Sequence, residues 1–327
     1  MGIKLRDLID FETINLDKIH GKILVIDGTN LLFKYITKIK KGQNILYDYQ
    51  GNPISHLLGF FYFIINLIER KVRPVFVFDG IPPAEKRPYN ELKIKRLIRA
   101  WNRYNHSHNM TKSIYFKDPY FLYKYIIEDL IKFIKIFGLP VIRAPCEGEA
   151  QAIRLVKEKK AYGVLSEDYD LLAFGCPNIF RKINFKNNTI QYISLKKVLN
   201  NLGISYDQLV DLVILVGNDY HPGFRGFGPK KSLEMVKKYK CIEKMMNDYD
   251  FDFNGLELNT LRNLFKNPIT SNFSIQFQYP NLPVLKEYLL ERRISINRVN
   301  NGIARLRNAF KTLKIHQISL DLFIRQK

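Results

Sequence analysis

The stretch from 145 to 175 reads PCEGEAQA at 145–152 and YGVLSEDYDLLAFG at 162–175, and it carries two pairs of acids. The first pair is Glu147 and Glu149, and the second is Asp168 and Asp170. A short apolar run precedes each pair, at 139–142 and at 162–165, and such runs are typical of buried strands in a parallel sheet. Open α/β sheets bind ligands just past the carboxyl ends of their strands. The stretch therefore predicts acids gathered at one edge of a parallel sheet.

The same pattern occurs twice earlier in the chain. The run at 22–26 ends at Asp27, and the run at 74–78 ends at Asp79. Helical patterns lie between the runs, at 55–70 and 123–137. This alternation predicts a mostly parallel sheet with helices on both faces. Because parallel strands present their carboxyl ends together, all of these acids should meet at one edge.

Carboxylates gathered in this way repel one another unless a cation lies among them, so the first hypothesis is a divalent-metal site. The alternative is structural. Glu147 and Glu149 could complement the dipole of a helix that starts near Cys146, for about 0.3–1 kcal/mol each, and Asp168 and Asp170 could be ordinary loop acids. Each pair taken alone favours the structural interpretation, whereas four runs that all end in acids favour the metal.

The composition indicates a folded protein with a polyanionic partner. The 327 residues are 46% hydrophobic and carry a formal net charge of +21, which favours nucleic acid first and an anionic membrane second. The longest uncharged apolar run, 59–68, is far short of the roughly 20 residues that span a bilayer. The N-terminus has no apolar signal core, and the three cysteines show no metal spacing. We therefore expect an intracellular monomer without a membrane segment.

Two basic segments are candidates for contact with phosphates. Residues 86–112 contain eight Lys or Arg and one acid, and a helix through Tyr104 is predicted with one basic face. Such a helix could also be a solvated surface or a membrane binder, but its place directly after Asp79 favours phosphate. The residues of that face are Lys93, Arg96, Arg99 and Arg103.

A glycine-rich turn forms the second basic segment. Ser205 and Gln208 have the spacing of a capping box, which predicts a helix that ends at Gly217. The sequence GFRGFGPKK follows at 223–231 and leads into another helix, which Pro229 can open. The pattern indicates a helix-turn-helix clamp on a duplex backbone, with a helix N-terminus suited to phosphate. A further helical and basic region is predicted from about 285 to 313.

Together these motifs resemble the flap endonucleases of the XPG-type nuclease superfamily in their archaeal form. The resemblance covers nearly the whole chain and includes VIDGTN, PVFVFDGIPP, APCEGEAQA, SEDYDLLAFG, RGFGPKK and QISLDLF. It implies the PIN-like 5′-nuclease fold, an α/β fold whose mostly parallel central sheet is flanked by helices. One nuclease domain would span 1–313, with a helical gateway at 86–125 and a helix–two-turn–helix at 205–240. A flexible tail for a sliding clamp would follow at 314–327.

The resemblance also implies the site chemistry. Members of this family hold two Mg²⁺ ions, with Mn²⁺ as a possible substitute, on seven acids, and every one has a match here. Asp27, Asp79, Glu147 and Glu149 would serve mainly one ion, and Asp168, Asp170 and Asp219 the other. Lys86 matches a lysine that contacts the scissile phosphate. A second catalytic cation aligns with Lys93 or with Arg96.

Further residues are assigned to DNA and to the clamp by the same resemblance. Phe33 would stack on a base beside the cleavage point, and the glycine-rich turn would hold a monovalent cation against a duplex phosphate. The DNA-contacting set is Gly2, Phe33, Lys40, Arg99, Arg103, Gly226, Gly228, Lys230 and Lys231. The clamp-binding set is Gln317, Leu320, Phe323 and Ile324, with Ile324 in place of the usual second aromatic residue.

The expected function is Mg²⁺-dependent cleavage of 5′ DNA flaps in replication and repair, with weaker 5′ exonuclease action. Two departures from the family, Phe63 for an arginine and Ile54 for a hydroxyl residue, affect the pocket for a one-nucleotide 3′ flap. Two alternatives are a gap or bubble endonuclease or 5′ exonuclease of the same superfamily, and a clamp-tethered DNA-binding protein without catalysis. The complete set of acids argues against the second.

Overall fold

A seven-stranded sheet forms the centre of the protein. The structure, a computed structural model, describes residues 5–38, 48, 54–80, 119–253 and 255–315. The strands are β1 (Glu12–Asn15), β2 (Ile23–Asp27), β3 (Arg73–Phe78), β4 (Val141–Arg143), β5 (Gly163–Leu165), β6 (Asn178–Asn184) and β7 (Thr189–Ser194).

The order of the strands is β1-β7-β6-β5-β2-β3-β4. Strands β6, β5, β2, β3 and β4 run parallel, while β7 pairs antiparallel with β6 and β1 with β7. The predicted mostly parallel α/β sheet is confirmed. The four strands expected to end in acids are neighbours, β5-β2-β3-β4, so their carboxyl ends meet at one edge.

The described helices pack around this sheet, together with two short 3-10 helices at Arg6–Leu8 and Leu16–Ile19. They are α1 (Gly28–Lys38), α2 (Ser55–Glu69), α3 (Pro119–Ile136), α4 (Gly148–Lys157), α5 (Asp170–Ala173), α6 (Leu195–Leu202), α7 (Tyr206–Val216), α8 (Pro229–Tyr239), α9 (Ile242–Met245), α10 (Leu258–Lys266), α11 (Leu282–Glu291) and α12 (Ile296–Ile315). In the described part of the chain, no helix is both long and apolar enough to cross a bilayer.

Three predicted boundaries differ from the structure. Strand β4 starts at Val141 rather than at 139, because Pro140 has no N–H to donate to the ladder. Helix α4 starts at Gly148, since Glu147 is its extended N-cap residue. The helical region expected from about 285 to 313 is two helices, interrupted where Arg293 takes a left-handed φ of 61°.

Aromatic side chains fill the core between the sheet and α2. Phe60 and Phe76 pack with ring centroids 5.8 Å apart, and Phe61 packs against Phe137 at 6.1 Å. All four rings are fully buried. Buried aromatic rings of this size supply much of the hydrophobic stabilisation of a core. This packing gives the sheet edge that carries the acids a rigid support.

The predicted capping box of α7 is confirmed. Ser205 Oγ accepts a hydrogen bond from Gln208 N at 3.2 Å, and Gln208 Oε1 accepts one from Ser205 N at 2.9 Å. Gln208 Nε2 also donates to the carbonyl of Val236 on α8 at 2.7 Å. The cap therefore both starts α7 and ties it to α8.

We predict that Ser205→Ala destabilises the protein, because it removes the acceptor of the cap. Loss of an N-cap costs about 1 kcal/mol, which corresponds to a fall in Tm of about 1.5 °C in a protein of this size. Scanning calorimetry measures the change. The control, Ser205→Asp, keeps a capping oxygen and should retain the wild-type Tm. Equal Tm values for the Ala and Asp variants would contradict a role for the cap.

Candidate metal centre and nucleic-acid interface

Asp27 is the last residue of β2 and lies at the centre of the acid-bearing edge. Its carboxylate is 6% exposed. Oδ1 accepts a hydrogen bond from Asn30 N at 2.9 Å, and Oδ2 accepts one from Ser166 Oγ at 2.7 Å. Burial, followed by the negative charges of Asp79 and Asp168, raises the pKa of Asp27 to about 7. Three of the predicted acids thus act on one another at this edge.

Asp79 joins the end of β3 to the start of α4. Its Oδ1 accepts a hydrogen bond from Gly148 N at 2.8 Å, and its own N–H donates to Thr29 Oγ1 at 3.1 Å. A Cβ on Gly148 would lie only 2.8 Å from Asp79 Oδ1, so glycine permits the contact. Because Glu147 and Glu149 flank Gly148, the bond brings the first acid pair to the edge that carries Asp27.

The second acid pair lies in a loop stabilised by short-range hydrogen bonds. Asp168 N donates to Ser166 Oγ at 3.2 Å, and Asp170 N donates to Asp168 Oδ1 at 3.1 Å. Asp168 is half-buried, whereas Asp170 is buried as the first residue of α5. Since the same Ser166 hydroxyl also binds Asp27, the loop is linked directly to the end of β2.

Asp219 reaches the site through a tight loop between α7 and α8. The Asn218 side-chain oxygen accepts hydrogen bonds from Tyr220 N at 2.8 Å and His221 N at 3.1 Å, which closes the loop around Asp219. The hydroxyl of Tyr220 donates to the carboxylate of Glu147. Asp219 and Tyr220 are buried. The loop therefore lies beside the first acid pair, as the metal hypothesis requires.

The seven acids share one edge but are not gathered around a point. In the described part of the chain, no group of three or more His, Cys, Asp or Glu side chains could hold a metal ion as arranged. An all-carboxylate donor set is the chemistry that Mg²⁺ prefers. The residues therefore fit a divalent cation, provided that the side chains draw closer to bind it.

The glycine-rich turn presents backbone and lysines together. Gly226 has a left-handed φ of +85°, and a Cβ at Gly226 or Gly228 would meet nothing within 4 Å, so this backbone lies open. Lys230 and Lys231 are exposed in the first turn of α8, which Pro229 opens as predicted. Open backbone, a helix N-terminus and two lysines form a surface suited to a phosphate.

Many predicted contact residues lie outside the described residues. Phe33 is half-buried on α1, six residues beyond Asp27. Of the predicted gateway, only the start of α3 from Pro119 is described. The predicted residues outside the description are Gly2, Lys40, Lys86, Lys93, Arg96, Arg99, Arg103, Gln317, Leu320, Phe323 and Ile324.

Three residues of the site were missed in the sequence analysis. Ser166 binds Asp27, Thr29 binds Asp79, and Tyr220 binds Glu147. Each lies within two residues of a predicted acid, and a hydroxyl at that spacing indicates a possible hydrogen-bond partner of a carboxylate. The sequence carried no signal for which acid each hydroxyl would contact, because each contact crosses between elements far apart in the chain.

Comparisons with known proteins identify the family to which this chain belongs. A family model described as the XPG N-terminal domain matches residues 1–102, and one described as the XPG I-region matches 138–219. The flap endonuclease 1 of Staphylothermus marinus is 34% identical, and the match covers 98% of this chain and 99% of that protein. The chain belongs to the flap endonuclease family. It is therefore a nuclease that hydrolyses DNA phosphodiester bonds, in a metal-dependent superfamily.

A solved structure of a flap endonuclease supports the assignment. The flap endonuclease-1 from Methanococcus jannaschii superposes with a TM-score of 0.74 at 28% identity, covering 95% of this chain and 99% of that one. The catalytic core of Rad2 in complex with a DNA substrate gives a TM-score of 0.71 at 19% identity, covering 94% of this chain and 100% of that one. The second likeness shows the shared fold alone.

The raised pKa of Asp27 predicts how the stability of this flap endonuclease depends on pH. The folded chain binds the proton more tightly than the unfolded chain, because the pKa rises from 3.8 to about 7. Stability from this group is therefore lost as pH increases from about 4 to about 7. In EDTA, Asp27→Asn should have a higher Tm than the wild type at about pH 8, with a smaller difference at about pH 5.

Calorimetry at the two pH values checks this prediction. The matched control is Asp250→Asn, which changes an exposed acid away from the sheet edge and should follow the wild type at both pH values. The prediction is wrong if the wild type and Asp27→Asn lose stability in parallel as the pH rises.

Proposed function

We propose that this chain is a structure-specific 5′-flap endonuclease with weaker 5′-3′ exonuclease activity, acting in Okazaki fragment maturation and repair. The main support is that acids follow the carboxyl ends of four neighbouring parallel strands at one sheet edge, and that the loop before α8 lies beside them. The same loop leads into the open glycine-rich turn. Asp219 and the glycine-rich turn proposed to bind phosphate therefore lie on one continuous segment, 217–231, which suits cleavage of duplex DNA at a branch.

Two Mg²⁺ ions are the proposed cofactors. Asp27, Asp79, Glu147 and Glu149 would hold mainly one, and Asp168, Asp170 and Asp219 the other. A pair of such ions activates water and stabilises the leaving oxygen of an in-line phosphodiester displacement. The acids orient this chemistry through their own hydrogen bonds, since Ser166, Thr29 and Tyr220 each restrain one carboxylate or its backbone.

The proposed roles of the basic residues rest on the resemblance to the family. Lys86, with Lys93 or Arg96, would neutralise charge that develops on the scissile phosphate. Phe33 would stack on a base, and stacking does not require the hydroxyl of a tyrosine. Lys230 and Lys231 would contact the downstream duplex, with a monovalent cation at the turn. Residues 317–324 would bind the sliding clamp.

One observation favours a second candidate, a gap or bubble endonuclease or 5′ exonuclease of the same superfamily. Phe63 is 2% exposed and packs edge-on against Phe185 with centroids 5.8 Å apart, and Ile54 is also buried. Neither side chain offers a polar group to a 3′ flap. Selectivity for a double-flap substrate therefore has less support than cleavage itself.

Mapping of products on four substrates tests the proposal. Wild-type protein in Mg²⁺ should cut 5′-flap and double-flap DNA near the flap base, with less cleavage of bubble and nicked duplexes, and EDTA should abolish all cleavage. Preference for bubbles would favour the second candidate. If no substrate is cleaved in Mg²⁺ or Mn²⁺, the proposal is wrong and the chain is a DNA-binding protein without catalysis.

Two acids at opposite ends of α4, Glu149 in its first turn and the C-cap residue Glu158, provide a matched pair for the same assay. Glu149→Ala removes a proposed ligand and should lower flap cleavage by about 100-fold or more, the scale of a lost group that stabilises transition-state charge. Glu158 ends the same helix in ion pairs with Arg154 and Lys160, so Glu158→Ala should retain wild-type cleavage. Flap binding in Ca²⁺ should persist in both variants. Equal activity of the two variants would remove Glu149 from the mechanism.

The salt dependence of binding tests the duplex contact. Lys230→Ala should weaken flap binding and lower the slope of log affinity against log salt by about 0.9, the value for one lost phosphate contact. Lys237, exposed in the last turn of α8, provides the control, and Lys237→Ala should keep the wild-type slope. Fluorescence anisotropy over a salt series measures both. Identical slopes for the two variants would place the duplex elsewhere.

A further inference from the structure

A buried guanidinium lies directly behind the loop that carries Asp168. Arg181 on β6 is 7% exposed. Its Nη2 donates to the carbonyl of Glu167 at 2.6 Å, and its Cζ lies 3.8 Å from the centroid of the Tyr169 ring. Glu167 and Tyr169 are the two chain neighbours of Asp168. One side chain therefore restrains both sides of a proposed metal ligand.

An irregularity in β6 begins directly after Arg181. The pairing of β6 with β7 shifts register between Arg181 and Asn184, and Lys182 between them takes a left-handed φ of 37°. A non-glycine residue in that region is strained, and such strain is retained where the surrounding structure demands it. Bulges next to active sites commonly re-aim a side chain. Arg181 is the residue at which the regular pairing of β6 with β7 ends.

The position of the loop next to β6 is set by the parallel ladder. Leu165 pairs with Phe180, and Ser166 N donates to the carbonyl of Phe180 at 3.0 Å. The chain leaves β5 at this point, so no further ladder bonds hold Glu167 to Tyr169 in the sheet. Beyond that point the guanidinium of Arg181 ties the loop to β6, through its contacts with Glu167 and Tyr169 on either side of Asp168.

Two other contacts complete the support of the loop. Ser166 Oγ binds Asp27, and Lys34 on α1 forms an ion pair with Glu167 at 2.6 Å.

The Nε of Arg181 has no hydrogen-bond partner within the described residues. The group is therefore arranged for planar stacking and one directed bond rather than for complete pairing of its donors. An apolar side chain would fill the same space at lower desolvation cost, which indicates a role beyond packing.

We infer that Arg181 is a positioning residue for catalysis, which holds Glu167 and Tyr169 so that Asp168 faces Asp27 across the metal site. Arg181 contacts neither acid and acts through the loop. The inference rests on the proposed two-metal nuclease function and extends it to a residue outside the ligand set. Residues that orient metal ligands typically contribute 10–100-fold to metal affinity or activity.

Metal titrations of two Arg181 variants test the inference. Arg181→Lys keeps the charge but loses the planar stack, and Arg181→Met keeps much of the volume but loses both contacts. In each, the Mg²⁺ concentration for half-maximal flap cleavage should rise by about 10–100-fold. Mn²⁺ affinity, measured by calorimetry without DNA, should fall by a similar factor, whereas KM for flap DNA stays unchanged. Folded variants with wild-type Mn²⁺ affinity overturn the inference, as does a change confined to KM.

Arg70, the C-cap residue of α2, contacts the β6–β7 hairpin and provides a matched control. Its guanidinium lies 5.0 Å from the Phe185 ring, and its Nη2 donates to the Phe185 carbonyl at 2.7 Å. Arg70→Lys should lower the Tm without changing Mn²⁺ affinity. If Arg70→Lys weakens Mn²⁺ binding as much as Arg181→Lys does, the effect is one of general stability and the inference fails.

Tyr169 variants decide the question if the Arg181 variants do not fold. Tyr169→Phe keeps the ring under the guanidinium and should retain Mn²⁺ affinity, whereas Tyr169→Leu removes the ring and should weaken it. Equal Mn²⁺ affinities for these two variants would reject the positioning role. Failure of the proposed function is separable, because it would appear as absence of flap cleavage by the wild type itself.

Discussion

Mutual repulsion of carboxylates at one sheet edge is the constraint on which the rest of the structure depends. The fold places Asp27 in a buried position, with the charges of Asp79 and Asp168 near enough to raise its pKa. Such an arrangement costs stability unless donors compensate it. The donors are supplied by Asn30 N and Ser166 Oγ at Asp27, and by Gly148 N at Asp79. A divalent cation among these acids would offset the remaining charge.

The hydrogen bonds that restrain the acids also connect distant parts of the protein. Tyr220 links the loop before α8 to Glu147, and Gln208 links α7 to α8. The surface proposed to contact duplex DNA and the acid-bearing edge are therefore parts of one bonded unit. A phosphate held at the glycine-rich turn would be at a defined distance from the acids, as selection of a branch point requires.

The loop from Ser166 to Asp170 is held in place by side chains from neighbouring elements that are not themselves proposed metal ligands. Strand β5 ends at Leu165, and the ladder that holds it also ends there. Attachment beyond that point comes from side chains: Lys34 on α1 and Arg181 on β6. Strain at Lys182 accompanies the second contact. The strand is thus irregular directly after the residue whose guanidinium contacts the loop.

Three features could be predicted from the sequence alone: the acids that follow each apolar run, the capping box of α7 and the start of α8 at a proline. These features involve residues a few positions apart, whose preferences act within a single element. The tertiary structure alone decided that Ser166 binds Asp27, that Tyr220 binds Glu147 and that Arg181 supports the loop around Asp168. The reason is physical: such contacts join residues distant in the chain, and they exist only once strand order, register and a bulge have set the distances. An apolar run predicts a buried strand, but it does not indicate which other strand will pair with it.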